Sequence, residues 1–149
     1  MEKRARVHNF YTEKLAEFSW IQLPPVLPDY VQTSYYFYHV QIKNGLRDQF
    51  AGFLRQNGIY TTYRYYPLHR VPGYGVIGNF PNADYAADNT LNLPIHQTIS
   101  DEELIYIYEK GSVFCDCVGG CYGFLCKVIP HSGEERASSD GDGFRRCLL

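Results

Sequence analysis

The chain has 149 residues, of which 45% are hydrophobic and 20% charged, and this length suits one ordinary domain with a modest core. Lysine and arginine number 14 against 16 aspartate and glutamate, a balance that excludes a polyelectrolyte or a nucleic-acid-coating protein. No apolar run approaches the ~20 residues of a membrane helix, and the start lacks the apolar stretch of a signal peptide. The sequence therefore predicts a soluble, cytoplasmic protein that binds neither nucleic acid nor membrane.

The first third of the chain predicts a helix, a linker and a strand. Glu2–Phe18 has apolar residues at helical spacing and no internal glycine or proline, which predicts a helix. The prolines of Leu23–Pro28 cannot continue it, so an extended linker is expected there. Thr33–Ile42 is β-branched and aromatic throughout and therefore predicts a strand.

The middle of the chain alternates between helical and strand patterns. Asn44-Gly45 predicts a turn into a short amphipathic helix, which Gly58 closes with a left-handed cap. Ile59–Tyr66 is again rich in strand-forming residues and stops at Pro67, so a second strand is expected. A loop follows that strand.

The last elements are shorter. A brief helix is expected from Asn82, and Leu91–Pro94 predicts a short strand. Ser100 with Glu103 three residues on predicts a capping box that opens the last helix. Gly111 is expected to break this helix early.

The cysteines divide the chain near Gly111, because all five lie after that residue while all but one of the 14 tyrosines lie before it. The segment HSGEERASSDGDG is too polar and too rich in glycine and serine to build a core. Composition thus predicts a folded unit over residues 1–110 and, over residues 111–149, a Cys-rich and then polar tail that is disordered or poorly packed. The tail cysteines lack paired C-x2-C knuckles, so free thiols are favoured over a zinc site.

Three phrases in the first part carry a family resemblance. SYYFYHVQI, RDQFAGFLRQNGIYTTYRYYPLH and LNLPIHQTISDEEL occur in that order. Together they resemble the C-terminal domain of the DegT/DnrJ/StrS aminotransferases, pyridoxal-phosphate enzymes that aminate keto-sugars carried on nucleotides. The resemblance extends from Lys3 to about Glu109. It implies an α+β fold, the small C-terminal domain of a fold-type I transferase, with a short, mostly antiparallel sheet flanked by helices.

The resemblance also implies a transaminase that is truncated. In this family a large N-terminal domain carries the lysine that binds pyridoxal phosphate as a Schiff base, and none of the five lysines here lies in such a motif. The isolated chain is therefore expected to be inactive and to bind no cofactor covalently. Its implied partners are the missing large domain, a nucleotide-linked keto-sugar and a second subunit of a homodimer. The alternative is a non-catalytic binding or interaction domain that uses its tyrosine-rich strands.

The candidate substrate-binding residues lie where the family's small domain approaches the cleft between domains. A guanidinium can bind phosphate oxygens through two donors, and an imidazole can meet a sugar hydroxyl. A packed aromatic strand, with the histidine bonded to backbone, explains the same residues without a ligand. Aspartates at helix starts, Asp48 and Asp84 among them, are explained by capping. The candidates are Arg64, Tyr65, Tyr66, His69 and Tyr35.

Overall fold

A computed structural model describes residues 2–63 and 66–118. It contains four α-helices and three strands within those ranges, in the order helix, two strands, two helices, strand, helix. The elements are α1 (Glu2–Leu15), β1 (Ile21–Gln22), β2 (Tyr38–Ile42), α2 (Arg47–Gln56), α3 (Pro81–Asn89), β3 (Thr90–Leu93) and α4 (Asp101–Cys117).

The strands form one antiparallel sheet in the order β1-β2-β3. Tyr38 faces Leu93 and Val40 faces Leu91 across β2 and β3, and all four side chains are buried. Because side chains alternate along a strand, these residues share the face that packs on the helices. The predicted α+β fold with a short antiparallel sheet and flanking helices is confirmed.

The sheet differs from expectation at its second predicted strand. Of the described residues in the expected strand Ile59–Tyr66, Thr62 alone pairs with β3, through a bridge to Asn92. The neighbouring strand ends at Leu93, and the next residue is a proline, which has no N–H to donate. Tyr63 lies instead against Arg47, whose guanidinium is 4.5 Å from the ring centroid. Strand-forming composition was therefore insufficient without a neighbouring strand to pair with.

The first predicted strand is shorter than expected. Within Thr33–Ile42, only Tyr38–Ile42 is a strand. Tyr35 has a φ of +48°, in the left-handed region that strands exclude. Moreover, β1 and β3 pair with residues 38–42, so residues 33–37 have no partner strand in the part of the chain that the structure describes.

The helix boundaries follow the expected end signals except at Gly111. The Ser100 hydroxyl accepts from the Glu103 amide at 3.1 Å, and the Glu103 carboxylate accepts from the Ser100 amide at 2.8 Å, so the capping box is confirmed. Gly58 has a φ of +75° just after α2, as expected of a left-handed cap.

The predicted break of the last helix at Gly111 is wrong. Helix α4 continues to Cys117, and Phe114 is buried among Trp20 and Phe50, with ring centroids 5.5 and 5.0 Å away. A glycine inside a helix costs only about 1 kcal/mol, and burial of a phenylalanine offsets that cost. The first residues of the predicted tail thus pack on the core, whereas residues 119–149 lie outside the described residues.

Candidate functional site

A cleft of about 410 Å³ lies where the segment before β2 meets the residues around the Thr62 bridge. Tyr36 and Phe37 come from the first segment, Thr62 and Tyr63 from the second, and Asn92, Leu93 and Ile95 from the end of β3 and beyond. We call this the aromatic cleft. Tyr36 and Tyr63 keep more than half of their surface exposed. Solvent-exposed aromatic rings thus line a concave surface, as in many ligand sites.

Tyr35 lies beside the aromatic cleft but is absent from its lining. Its ring contacts His8 of α1 edge-on, with centroids 5.2 Å apart, and its amide donates to the Thr33 hydroxyl at 3.2 Å. The left-handed backbone of Tyr35 turns the chain so that the following residues, Tyr36 and Phe37, enter the cleft. Its role in binding a substrate directly therefore stays a prediction, whereas its packing on α1 is observed.

Of the other predicted site residues, the structure describes Tyr66 and His69. Arg64 and Tyr65 lie outside the described residues. Tyr66 is exposed, immediately before the turn that contains His69.

His69 belongs to a charged cluster between that turn, Leu68–Arg70, and helix α3. Its Nε2 lies 2.8 Å from Oδ1 of Asp84, and its ring stacks near Phe80 with centroids 4.9 Å apart. Arg70 donates from Nε to the same Asp84 oxygen at 2.6 Å. Among the described residues, the partner of His69 is therefore a carboxylate, whereas the alternative considered above was a bond to the backbone.

Arg70 also binds Asp88 with two hydrogen bonds of 2.7 and 2.8 Å, the fork geometry that favours guanidinium–carboxylate pairs. The hydrogen bond with His69, and then that from Arg70, lowers the pKa of Asp84. The hydrogen bond from Arg70 lowers the pKa of Asp88 in the same way. Both carboxylates are thus held ionised, and the turn is joined to α3 by opposite charges.

Sequence reasoning missed Asp84 as a site residue and treated it as a helix-start carboxylate. The available signal was the i, i+4 spacing of Asp84 and Asp88, which places both on one helix face. The His69-Arg70 dipeptide offered the complementary donors, but the sequence did not show that it folds back onto this helix.

A second cavity, of about 470 Å³, also borders the Thr62 bridge. Ile59 and Tyr60, the segment from Pro94 to Ile99, and α4 residues including Glu103 line it. Asn92 contributes to both cavities and is almost completely buried. Its Nδ2 donates to the Thr62 hydroxyl at 3.3 Å, while its Oδ1 has no hydrogen-bond partner among the described residues.

The described residues do not fit covalent binding of pyridoxal phosphate. A Schiff-base lysine must reach into a closed site, and no lysine lines either cavity described above. Lys43 donates to the Ser19 carbonyl at 2.8 Å, Lys14 pairs with Glu13, and Lys110 lies over the Tyr106 ring. These three ammonium groups therefore make contacts with neighbouring groups of the fold and do not extend into either cavity.

The tail cysteines are described only in part. Cys115 is buried and Cys117 exposed, and the other three lie outside the described residues. Among residues 2–63 and 66–118, no three histidine, cysteine or acidic side chains gather as a metal site would require. Within the same ranges, no helix has the length and apolar character needed to cross a membrane.

Residues 1–111 match the model of the DegT/DnrJ/EryC1/StrS aminotransferase family. Among curated proteins, the dTDP-4-dehydro-2,3,6-trideoxy-D-glucose 4-aminotransferase of Saccharopolyspora spinosa is 40% identical over 110 residues, covering 74% of this chain and 29% of that protein. A pleiotropic regulatory protein of Geobacillus stearothermophilus is 33% identical over 95 residues, covering 60% of this chain and 26% of that protein.

Solved structures agree with the sequence comparison. The aminotransferase TlmJ from Streptoalloteichus hindustanus superposes with a TM-score of 0.75 at 36% identity, covering 78% of this chain and 32% of that one. The PLP form of Spr1654 from Streptococcus pneumoniae gives a TM-score of 0.64 at 26% identity, covering 72% of this chain and 29% of that one. The chain spans about three tenths of the length of the relatives it matches. From the family match and the identity to these relatives, the chain belongs to the DegT/DnrJ/EryC1/StrS aminotransferase family.

Proposed function

We propose that residues 1–110 act as the small, substrate-facing domain of a pyridoxal-phosphate-dependent aminotransferase whose substrate is a nucleotide-linked keto-sugar. The family match over residues 1–111 carries this proposal. The substrate class is supported by the Saccharopolyspora relative, whose name specifies a dTDP-linked keto-sugar. The enzyme would work in the cytoplasm as a homodimer, as the family resemblance implies.

The proposal divides the reaction between two domains. When bound, pyridoxal phosphate withdraws electrons from the carbon that gains or loses the amino group. A lysine must hold the cofactor, and Lys14, Lys43 and Lys110 make other contacts within the fold. A large domain would supply that lysine, while the aromatic cleft and the His69 turn would contact the sugar and its diphosphate. The isolated chain would therefore catalyse no transamination.

In this proposal, Arg64 binds a phosphate of the substrate, and Tyr35, Tyr65 and Tyr66 shape the wall around the sugar. Aromatic rings pack against the apolar faces of sugars while their hydroxyl groups donate and accept hydrogen bonds. The exposed rings of Tyr36 and Tyr63 support this role, because they line the aromatic cleft and are adjacent in sequence to Tyr35 and Arg64.

A fusion enzyme tests the proposal. The matching segment of the Saccharopolyspora relative is replaced by residues 1–118 of this chain, and the fusion is assayed with pyridoxal phosphate, an amino donor and the relative's keto-sugar. We expect turnover by the fusion and by the unaltered relative, but none by this chain or by the relative's remaining domain alone. Turnover by this chain alone would contradict the proposal, and so would an inactive fusion that folds and binds the cofactor.

Borohydride reduction tests which domain carries the lysine that binds the cofactor. The chain is incubated with pyridoxal phosphate, reduced and digested, and its peptides are analysed by mass spectrometry. We expect no stoichiometric lysine adduct on this chain and one adduct on the fusion, within the relative's segment. A specific stoichiometric adduct on any lysine of this chain would show that it anchors the cofactor itself.

A further inference from the structure

The His69–Asp84 pair is more constrained than a surface ion pair. The imidazole Nε2 lies 2.8 Å from Asp84 Oδ1, and only 16% of the His69 side chain is exposed. Phe80 covers the ring, with centroids 4.9 Å apart. The ring is therefore fixed by a hydrogen bond at one edge and by an aromatic neighbour over its face.

Arg70 fixes the carboxylate in turn. Its Nε donates to Asp84 Oδ1 at 2.6 Å, and its two terminal nitrogens bind Asp88. Asp84 and Asp88 are one turn apart on α3, so the guanidinium spans both. Asp84 consequently has a rigid support and a counter-charge, which keep its oxygen directed at His69.

The remainder of this loop is poorly anchored. Leu68 and Tyr74 are each more than 60% exposed, and Ile77 is 98% exposed. The apolar residues of the loop thus contribute little burial, and the cluster of His69, Arg70, Asp84 and Asp88 provides its connection to α3.

The chemistry of the pair assigns the proton. An ionised carboxylate only accepts hydrogen bonds, so the imidazole must carry its proton on Nε2. In the neutral ring Nδ1 is then an acceptor. Among the described residues, the hydrogen bond of His69 is the one through Nε2, and 16% of the side chain remains exposed.

We infer that Asp84 is a positioning residue that holds His69 with Nε2 protonated, so that Nδ1 accepts a hydrogen bond from a hydroxyl group of the sugar substrate. The identity of the ligand rests on the proposed function, whereas the tautomer does not. In other proteins, a carboxylate orients a histidine beside a metal or a nucleophile through the same kind of hydrogen bond.

Nitrogen-15 NMR of the full chain tests the inference without any substrate. His69→Gln assigns the resonances, and spectra recorded over a series of pH values show which nitrogen carries the proton in the neutral ring. We expect a protonated Nε2 and a lone pair on Nδ1, with an Nε2–H proton that exchanges slowly. A ring protonated on Nδ1 would overturn the inference directly, with no variant needed.

Two substitutions separate positioning from general loop stability. Asp84→Ala removes the acceptor, and we expect the slowly exchanging Nε2–H signal to disappear. Asp88→Asn removes one carboxylate from Arg70 but leaves the His69–Asp84 contact intact, so the signal should persist. Near-UV circular dichroism checks that both variants fold. A persistent signal in folded Asp84→Ala would reject the positioning role.

The fusion enzyme then distinguishes this inference from the proposed function. There, Asp84→Ala should raise KM for the keto-sugar by roughly tenfold, the effect of one lost hydrogen bond at the upper end, while kcat changes little. An unchanged KM would refute the hydrogen bond from His69 to substrate. A fusion that never turns over, with the tautomer as expected, would refute the proposed function and leave the positioning of His69 intact.

Discussion

The Tyr11 hydroxyl donates a 2.9 Å hydrogen bond to the carbonyl of Pro94, which joins the middle of α1 to the chain leaving β3. Tyr11 is completely buried, and its ring packs on Tyr38 with centroids 5.1 Å apart. The residues after Pro94 include the wall of the second cavity. One buried phenol therefore helps to position a segment that lies beside both cavities.

Removal of this hydrogen bond should destabilise the fold measurably. Tyr11→Phe keeps the ring but leaves the Pro94 carbonyl without its partner, so the free energy of unfolding should fall by about 1–2 kcal/mol. Urea denaturation of the full chain measures the change. Tyr106→Phe is the control, because that hydroxyl makes a 3.2 Å bond in an exposed position, and it should cost less. Equal effects of the two substitutions would contradict the importance of burial.

Mild acid should destabilise the chain through two histidines. Burial lowers the pKa of both His8 and His39, and the proximity of His39 lowers that of His8 further. The unfolded chain therefore takes up protons near pH 6.5 while the folded chain still resists them. Stability should consequently decrease as the pH falls below about 6.5, until the folded-state pKa values are reached.

Unfolding free energies between about pH 7.5 and pH 5.5 test this prediction, in a range well above the ordinary carboxyl pKa values. The double variant His8→Gln, His39→Gln lacks both imidazoles, so its stability should vary less with pH than that of the unaltered chain. Stability that rises with acidification, or an equal slope in the double variant, would contradict the assignment.

Two glycines of similar surroundings should respond oppositely to alanine. A Cβ at Gly58 or Gly52 meets no atom within 4 Å, so steric clashes decide neither case. Gly58 has a φ of +75°, where an L-residue is strained by about 1 kcal/mol. Gly52 lies within α2, where alanine is favoured by roughly the same amount.

Thermal denaturation of the two variants should therefore show a lower Tm for Gly58→Ala and a higher Tm for Gly52→Ala. The difference between the pair is more informative than either value, since both substitutions add one methyl group to an exposed site. A shift in the same direction for both would mean that the left-handed cap is not retained in solution.

Exposed apolar side chains should make the isolated chain prone to self-association. Val26 and Ile77 are 97% and 98% exposed, on the linker and on the loop after His69. Removal of such exposed apolar groups from water favours dye binding and association. We expect binding of the dye ANS and association that increases with concentration, both reduced in Val26→Ser, Ile77→Ser. A compact monomer without dye binding at every concentration would contradict this expectation.

The elements that were predictable from sequence are those specified by neighbouring residues. The capping box at Ser100 and the left-handed cap at Gly58 each depend on a few adjacent positions. The strand lengths depended instead on pairing. Tyr35 leaves the strand region, and Thr62 forms one bridge within the described residues, because the strands beside them are short.

In the candidate site, likewise, some residues could be identified from the sequence, but their contacts could not. His69 was identifiable from the family phrase, but its partner Asp84 lies 15 residues away on a different element. Local sequence gave Asp84 a satisfactory role as a helix-start carboxylate, so nothing in the sequence required another. The position of Asn92 between two cavities could not be predicted from the sequence either, since it depends on the bridge to Thr62.

Helix α4 supplies the clearest test of tertiary packing over local propensity. Phe114 is buried against Trp20, Phe50 and Phe53, and it lies beyond the glycine that local rules treat as a stop. Phe114→Ala should therefore lower the free energy of unfolding by about 3–5 kcal/mol through lost burial and a new cavity. Urea denaturation followed by tryptophan fluorescence measures this loss, since Trp20 is in direct contact with the altered site.

Val113→Ala is the matched control, because Val113 is adjacent on the same helix but 43% exposed. Its effect should stay within about 0.5 kcal/mol, as for other surface substitutions. If Phe114→Ala were as mild as this control, the helix would end near Gly111 in solution, and the core would have to be completed without it. If the predicted difference is found, the helix must extend at least to Phe114, and the folded unit then includes residues beyond the change in composition.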